Sequence, residues 1–499
     1  MRISILLTAI LFLSACTSTR QASAQYNNHL NNQLNKQQRL VASVDSMFTD
    51  SAFDHAFWGA KIVSLKTGEI WYERNANKMF NPASNQKIVT GSVALTKLGP
   101  DFRYQTTLST NGSISNGVLN GDLIVFGTGD PTMYTRFGGD PRDTFRKWAT
   151  ILKQKGIRQV TGNIIGDDNA FDDERFGAGW AFDDFEYSYS AEINALQLNE
   201  GYVDLKIVPP TSASGSAQII PNISTSYFTI ENQLKVNAGG VNKVSIHRPY
   251  PFNTIKVTGE VLPNSRAIND AASISNQTLF FATVMKETLQ ENGVTVQGKA
   301  LDCDDIPNWQ HTPTDFATLD VQQSPPFAQV LKTMEKESQN LYAETFVRTL
   351  GLQLKGLGTF ENGRSVVQET LQQWGSAPNV YQYYDGSGLS RQDYISPNVL
   401  VNVLSQMRQS PYWSTWYEAL PIAGRDGTLQ NRMKGTAAEN NVRGKTGTIS
   451  NVRGMSGYVT TADGEEVVFS FLVNGHLLSS RDTDRITDTV LAKVAAFRR

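Results

Sequence analysis

The chain has 499 residues, long enough for two to four domains and at least one large buried core. Apolar residues make up 40% and charged residues 18%, and 45 basic against 47 acidic side chains leave a net charge of −2, so no electrostatic pull toward nucleic acid is expected. The five histidines (His29, His55, His247, His311, His476) are scattered, with no two at helical metal-ligand spacing, which argues against a zinc hydrolase and calls for no metal or cofactor.

The N-terminus bears on location. Arg2 supplies a positive charge, and Ile3 to Leu13 form an apolar stretch too short to remain as a membrane-spanning helix. It ends in Leu13-Ser14-Ala15-Cys16, which resembles the lipobox of bacterial lipoproteins. That resemblance implies a signal peptide over 1–15 and a lipid anchor at Cys16; an ordinary secretory signal is the alternative. The expected location is the periplasmic side of a bacterial membrane, and Thr17, which is not an aspartate, points to the outer membrane under enteric sorting rules. No later segment reaches eighteen apolar residues, so anchoring rather than spanning is expected. Residues 16–40, rich in Ser, Gln and Asn, read as a solvated tether, helical toward its end. With Cys16 lipidated, Cys303 has no internal disulfide partner and reads as a buried, inert thiol.

The first folded signal is a hairpin, Ala60 to Ser64 and Glu69 to Glu73 around Lys66-Thr67-Gly68. Asn81-Pro82-Ala83-Ser84 follows, and then Ile88, Val89, Val93, Leu95 and Leu98 recur at helical spacing up to Gly99-Pro100. Ser84 is therefore expected at a helix start. From about Asp101 to Pro307 short β-like runs dominate: Leu119 to Phe126, Val160 to Gly166, Val203 to Val208 and Thr254 to Leu262. Helical patterns return near Phe327, over Ser338 to Leu354, Ser365 to Trp374 and Pro397 to Gln409. Strands are expected again at Val442 to Lys445, Met455 to Thr460 and Glu466 to Val473, before a terminal helix from about Asp482 to Phe497. The fold class is α+β. One domain, 41–103 with 306–499, is expected to build its sheet from both ends of the chain, around a β-rich insert at 104–305.

Three short motifs carry chemistry. In Ser84-Asn85-Gln86-Lys87, residues three apart share a helix face, so the amine can reach the hydroxyl. An alcohol needs a nearby base to attack at neutral pH, and a lysine serves only when neutral. That requires lowering its pKa by roughly three units, or ~4 kcal/mol, through burial or a second cation. In Ser338-Gln339-Asn340, Ser338 can relay a proton between Lys87 and the leaving amine, and Asn340 can hold Lys87 or the substrate backbone. In Lys445-Thr446-Gly447-Thr448, Lys445 and the threonine hydroxyls suit a substrate carboxylate, and Gly447 suits close approach of the substrate backbone. Each motif alone is weak. Together and in this order they match the set found in β-lactamases and penicillin-binding proteins.

The chain resembles the class C low-molecular-mass penicillin-binding proteins, the D-alanyl-D-alanine carboxypeptidase/endopeptidase family, from about Ser43 to Arg499. Gly127-Thr128-Gly129-Asp130-Pro131-Thr132, Asp385 to Arg391, Leu420 to Leu429 and Ser456-Gly457-Tyr458-Val459 also fit that family. The 254 residues from Ser84 to Ser338 match its long interval, which implies two inserted domains and a penicillin-binding/serine β-lactamase-like catalytic domain. The resemblance implies that Ser84 attacks D-Ala-D-Ala termini or cross-links of peptidoglycan peptides, and that β-lactam antibiotics acylate it. It implies an oxyanion hole from the backbone N–H groups of Ser84 and Thr448. It also implies a stem-peptide subsite at Trp180, Asp183 and Tyr189, with Asp184 and Tyr187 as competing candidates and an acidic aromatic surface loop as the plainer reading. A β-lactamase or esterase on the same core is disfavoured by the long insert and by the absence of a deacylating glutamate motif. A catalytically silent wall-binding lipoprotein is disfavoured by three intact motifs.

Overall fold

Both ends of the chain contribute to one central antiparallel sheet in the computed structural model, which describes residues 35–499. The strand order is Ile70–Arg74, Phe57–Ser64, Glu466–Asn474, Val452–Thr460, Arg443–Ile449. The Glu466–Asn474 strand shows why it is central. Val467, Phe469, Phe471 and Val473 point into one core, while Val468 and Leu472 point into another. Two-residue alternation buries both faces, and each such side chain contributes ~1.5–3 kcal/mol.

One face is covered by the helices Lys36–Phe48 and Ser480–Ala495. The other carries Gln86–Leu98, Phe327–Glu337, Asn340–Lys355, Phe360–Gln373 and Pro397–Gln409. The first of these helices starts inside the expected tether. Asn35 caps it reciprocally with Gln38, at 2.8 and 2.9 Å, and Leu40, Val41, Val44 and Phe48 turn a polar-looking segment toward the sheet. Among the described residues no helix is long and apolar enough to cross a membrane.

The inserted lobe runs further than expected, because Ala317–Gln323 pairs with Gln105–Thr110 beyond residue 305. It is also less purely β than its sequence suggests. Helices Asp143–Gln154 and Gln277–Glu291 pack against its sheets. The second is buried on most of its circumference, so it shows no polar stripe to betray it. Two expected strands split in two. Leu119 to Phe126 becomes Val118–Asn120 and Leu123–Gly127, and Val160 to Gly166 becomes Gln159–Val160 and Ile164–Asp167. The halves belong to different sheets. At the crossing, Gly112, Gly121, Gly162 and Gly298 pack backbone against backbone, where a Cβ would clash. One apolar core runs through the lobe and joins these sheets to those of Tyr202–Val208 and Thr254–Val261. Cys303 is buried in a separate small cluster with Ile124, Phe126 and Ile165, and burial with the nearby Asp167 and Asp168 carboxylates holds its thiol protonated.

Candidate active site

Ser84 lies in a single 3-10 turn, Ala83–Asn85, that leads directly into the Gln86–Leu98 helix. Two glycines let this turn sit tightly. A Cβ on Gly388 would strike the Ala83 carbonyl, and Gly388 has φ +81°, a conformation that glycine adopts without strain. Gly447, paired with Gly454 across the edge of the sheet, leaves room for Pro82 and the Asn85 side chain. Gly447 is expected from the sequence to let a substrate backbone approach; the space beside its Cα is taken by the turn that carries Ser84.

Lys87 is completely buried. Its Nζ lies 3.1 Å from Ser84 Oγ, 2.6 Å from Asn340 Oδ1 and 2.8 Å from the Ser387 carbonyl. Asn340 Oδ1 and the Ser387 oxygen can only accept hydrogen bonds. The Asn340 amide is oriented by its other end, since Nδ2 donates to the Tyr189 carbonyl at 2.8 Å. A neutral amine has two hydrogens for these two acceptors and one lone pair left for the Ser84 hydroxyl. Burial pushes Lys87 down to about 8, against the upward pull of Asp385, Glu344, Glu335 and Asp393.

The Ser387 carbonyl is held by two buried carboxylates. Glu344 accepts from the N–H groups of Gly386 and Ser387, the latter at 2.8 Å. Asp385 accepts from Gly388 N, Ser390 N and the Trp180 indole at 2.8 Å. Burial and the nearby Asp385 charge raise Glu344, while the backbone N–H groups pull the other way.

Ser338 closes the Phe327–Glu337 helix rather than opening the next, with φ 61° and ψ 35°. This left-handed conformation is sterically costly for a non-glycine residue. It aims Oγ at Lys445, whose Nζ donates to it at 2.8 Å. Ser338 therefore meets Lys445 directly, whereas Lys87 meets Asn340. Lys445 also donates to the Thr446 carbonyl at 2.9 Å, and burial together with the Lys87 charge keeps it below an ordinary lysine. Thr446 Oγ1 bonds Thr428 at 2.8 Å, and the Thr448 hydroxyl accepts from Arg453.

The Arg443–Ile449 strand is an edge, so alternate N–H groups face away from the sheet. Gly444 N donates outward to the Pro421 carbonyl. Two-residue alternation puts the N–H groups of Thr446 and Thr448 on that same open side. The cleft, about 460 Å³, is lined by Ser84, Ser338, Asn340 and Thr448, and by Asp183, Asp184, Tyr189 and Arg391 opposite.

The structure thus brings Ser84, Lys87, Ser338, Asn340, Lys445, Thr446, Gly447 and Thr448 together. Asp183 and Tyr189 line the same cleft, and the Tyr189 hydroxyl donates to Asp184 at 2.6 Å. Tyr187 stacks on Tyr189. Trp180 is different: it is buried behind the cleft wall with its indole N–H committed to Asp385. Cys16 lies outside the described residues. Sequence reasoning gave no role to Asp385, Glu344, Ser387, Thr428 or Glu335. Asp385 to Arg391 and Leu420 to Leu429 stood out as stretches, but nothing in them reports which carbonyl would face a lysine.

A serine one helical turn before a buried lysine, joined by a Ser-x-Asn junction and an edge strand bearing Lys-Thr-Gly, defines a serine acyl-transferase of the penicillin-binding and β-lactamase class. The chain belongs to the D-Ala-D-Ala carboxypeptidase 3 (S13) family, which residues 40–496 match. It is 33% identical over 470 residues to the D-alanyl-D-alanine carboxypeptidase of Actinomadura sp. (strain R39), covering 92% of this chain and 85% of that one. It is 26% identical over 442 residues to D-alanyl-D-alanine carboxypeptidase DacB of Haemophilus influenzae, covering 83% and 84%. The fold is similar to the crystal structure of penicillin binding protein 4 (dacB) of H. influenzae, with a TM-score of 0.78 at 23% identity over 91% of this chain and 99% of that one.

Proposed function

We propose that the protein hydrolyses D-alanyl-D-alanine ends and cross-links of peptidoglycan peptides through an acyl-enzyme on Ser84. The observation that carries this reading is the buried Lys87 amine 3.1 Å from Ser84 Oγ; once neutral, it keeps two hydrogens for Asn340 and Ser387 and turns its lone pair to Oγ. In the first step Lys87 takes the Ser84 proton as Oγ attacks the carbonyl carbon of the scissile amide. The C–N bond then breaks, the leaving amine takes the proton that Lys87 had accepted, and Ser84 is left as an ester while Lys87 is neutral again. Lys87 takes a proton from water as the water oxygen adds to the ester carbon, the Oγ–C bond breaks, Lys87 returns the proton to Ser84 Oγ, and the shortened peptide leaves as a carboxylic acid.

The N–H groups of Ser84 and Thr448 are the proposed oxyanion donors, each worth ~3 kcal/mol at the transition state. Lys445, with the hydroxyls of Thr446 and Thr448, is proposed to receive a terminal carboxylate. The Lys445–Ser338 hydrogen bond supports a proton path to the leaving amine along that edge. Asp183 and Tyr189 are the proposed side-chain subsite, with Trp180 supporting the wall behind it. A β-lactam bears an amide carbonyl and a carboxylate at comparable separation, and acylation of Ser84 by penicillins belongs to the same proposal. A crystal structure of the H. influenzae protein with a β-lactam supports it by analogy.

The proposed location is the periplasmic face of a bacterial membrane, the outer one by the Thr17 argument, with lipid on Cys16. The test is mass spectrometry of purified muropeptides after incubation with the enzyme. Loss of a terminal D-alanine, or conversion of cross-linked dimers to monomers, is expected and should vanish in Ser84→Ala. Products that persist in that variant would sink the reading.

A further inference from the structure

Glu335 stands in the last turn of the Phe327–Glu337 helix, three residues before Ser338. Its side chain is fully buried, and neither carboxylate oxygen has a hydrogen-bond partner among the described residues. A carboxyl group in that condition is among the most costly arrangements a protein interior holds. The helix opposite makes room for it. A Cβ on Gly91 would lie 2.7 Å from Glu335 Oε1 and 2.9 Å from Met334 Cε. Gly91 is one turn beyond Lys87 on the same helix face. A glycine in mid-helix is unfavourable by itself, so the space it opens calls for an explanation.

Burial pushes the Glu335 carboxyl up to about 7, and the charges that pull it back down are Lys445 and then Lys87. Both lysines spend their hydrogen bonds elsewhere, Lys87 on Ser84, Asn340 and Ser387, and Lys445 on Ser338 and its own strand. Glu335 is therefore no ordinary ion-pair partner. Other groups face the cluster from every side. Asp385, Glu344 and Asp393 act on Lys87, and Arg453 acts on Lys445. On its own helix Lys332 is a further cation, and Lys336 is engaged by Asp426 at 2.6 Å.

We propose that Glu335 is a positioning residue, a buried counter-charge shared by the two lysines that keeps one protonated while the other is neutral. The inference rests on the acyl-enzyme reading above. That chemistry needs a neutral amine at Lys87 and a cation at Lys445, side by side in a dry site. Two cations there repel, and two neutral amines leave nothing to hold a carboxylate. Burial favours the neutral carboxyl, so Glu335 ionises only against a protonated neighbour, and one negative charge beneath both makes the singly protonated pair the electrically balanced state.

Glu335→Gln keeps the shape and removes the charge. Both lysines then release their protons more readily. The acid limb of Ser84 acylation, set by Lys87, and the alkaline limb, set by Lys445, should both move to lower pH by about one unit. The readout is the rate constant for acylation by benzylpenicillin from pH 5 to 10 on the full chain, with thermal unfolding as the control for folding. Glu335→Asp retains the charge and should keep both limbs in place even where the rate falls. A merely structural role would lower the rate at every pH and leave the limbs of the glutamine variant unmoved, and that result overturns the inference. If the glutamine variant does not fold, Gly91→Ala pushes the carboxylate aside from the opposite helix and should shift the limbs the same way. Unmoved limbs there overturn it equally. A wild-type protein that benzylpenicillin never acylates would instead overturn the reading of Ser84, so the two failures are separable.

Discussion

Gly447→Ala separates two accounts of the Lys-Thr-Gly strand. A Cβ at this position would lie 2.6 Å from the Pro82 carbonyl oxygen, 2.7 Å from Asn85 Nδ2 and 3.0 Å from Asn85 N. Two of these three neighbours are backbone atoms, which cannot swing away as a side chain can. Ordinary contact begins at about 3.4 Å, so the turn must retreat by roughly 0.8 Å. Pro82 and Asn85 bracket Ser84, so the displacement falls on the nucleophile and on its 3.1 Å contact with Lys87. A misplacement of about 1 Å costs around 10²-fold in rate, and overpacking costs about 1–3 kcal/mol in stability. Acylation by a small β-lactam and hydrolysis of a D-Ala-D-Ala peptide should therefore fall by a similar factor, about 10- to 100-fold, with a lowered Tm. Stopped-flow acylation and peptide turnover measure the two. If β-lactam acylation stays within about twofold of wild type while peptide hydrolysis collapses, the glycine serves substrate approach and the reasoning from the turn is wrong.

Three further outcomes are expected. Acylation should rise with pH along an acid limb centred near 8, because Lys87 acts as a base only when neutral. About half is neutral at pH 8, a tenth at pH 7 and a hundredth at pH 6; an acid break near 4–5 would point to a carboxylate base instead. Lys87→Arg should abolish penicillin labelling while the circular dichroism spectrum persists, since a guanidinium does not deprotonate; any measurable labelling contradicts the lysine's role. Glu200→Ala should cost about 3–5 kcal/mol and slow acylation. It strands Arg136, Tyr202 and Tyr342, which reach the carboxylate at 2.8, 2.6 and 2.8 Å, and it frees Gln339 between Ser338 and Asn340. Calorimetry that finds Tm unchanged would remove Glu200 from that account.

How much of this was legible in the sequence depended on distance along the chain. The Ser84–Lys87 pair could be read because three residues of helix bring both onto one face. The central sheet could be read because Glu466 to Val473 is apolar at nearly every position. Ser338-x-Asn340 and Lys445-Thr446-Gly447 were visible as motifs, but their pairing was not. Which of Ser338 and Asn340 meets which lysine depends on the left-handed turn at Ser338, and no residue type announces such a turn at a serine. The helix Gln277–Glu291 escaped because burial over most of its circumference weakens the periodicity by which helices are recognised. Glu335 and Gly91 escaped for a related reason. A buried carboxylate reads in sequence like any surface glutamate on an amphipathic helix, and only the opposite helix shows that it points inward.

The inserted lobe is part of the active site rather than an appendage to it. The Tyr189 carbonyl, from the lobe, fixes the Asn340 amide that receives Lys87. The Trp180 indole, also from the lobe, completes the shell of donors around Asp385, and Asp385 shapes the loop whose Ser387 carbonyl takes the other Lys87 hydrogen. Both acceptors that leave the lysine's lone pair for Ser84 are thus oriented across the boundary between lobes. Burial brings Lys87 down to about 8, roughly 3 kcal/mol from its value in water, and so puts the neutral amine within reach near neutral pH. That holds only while water is kept out and the two acceptors stay where they leave the lone pair free. A catalytic domain cut free of residues 105–323 would keep all three motifs, yet Asn340 and Asp385 would lose the partners that orient them. Such a truncation should therefore lose acylation even where its central sheet still folds. Full penicillin reactivity in a folded truncation would show that the motifs suffice alone.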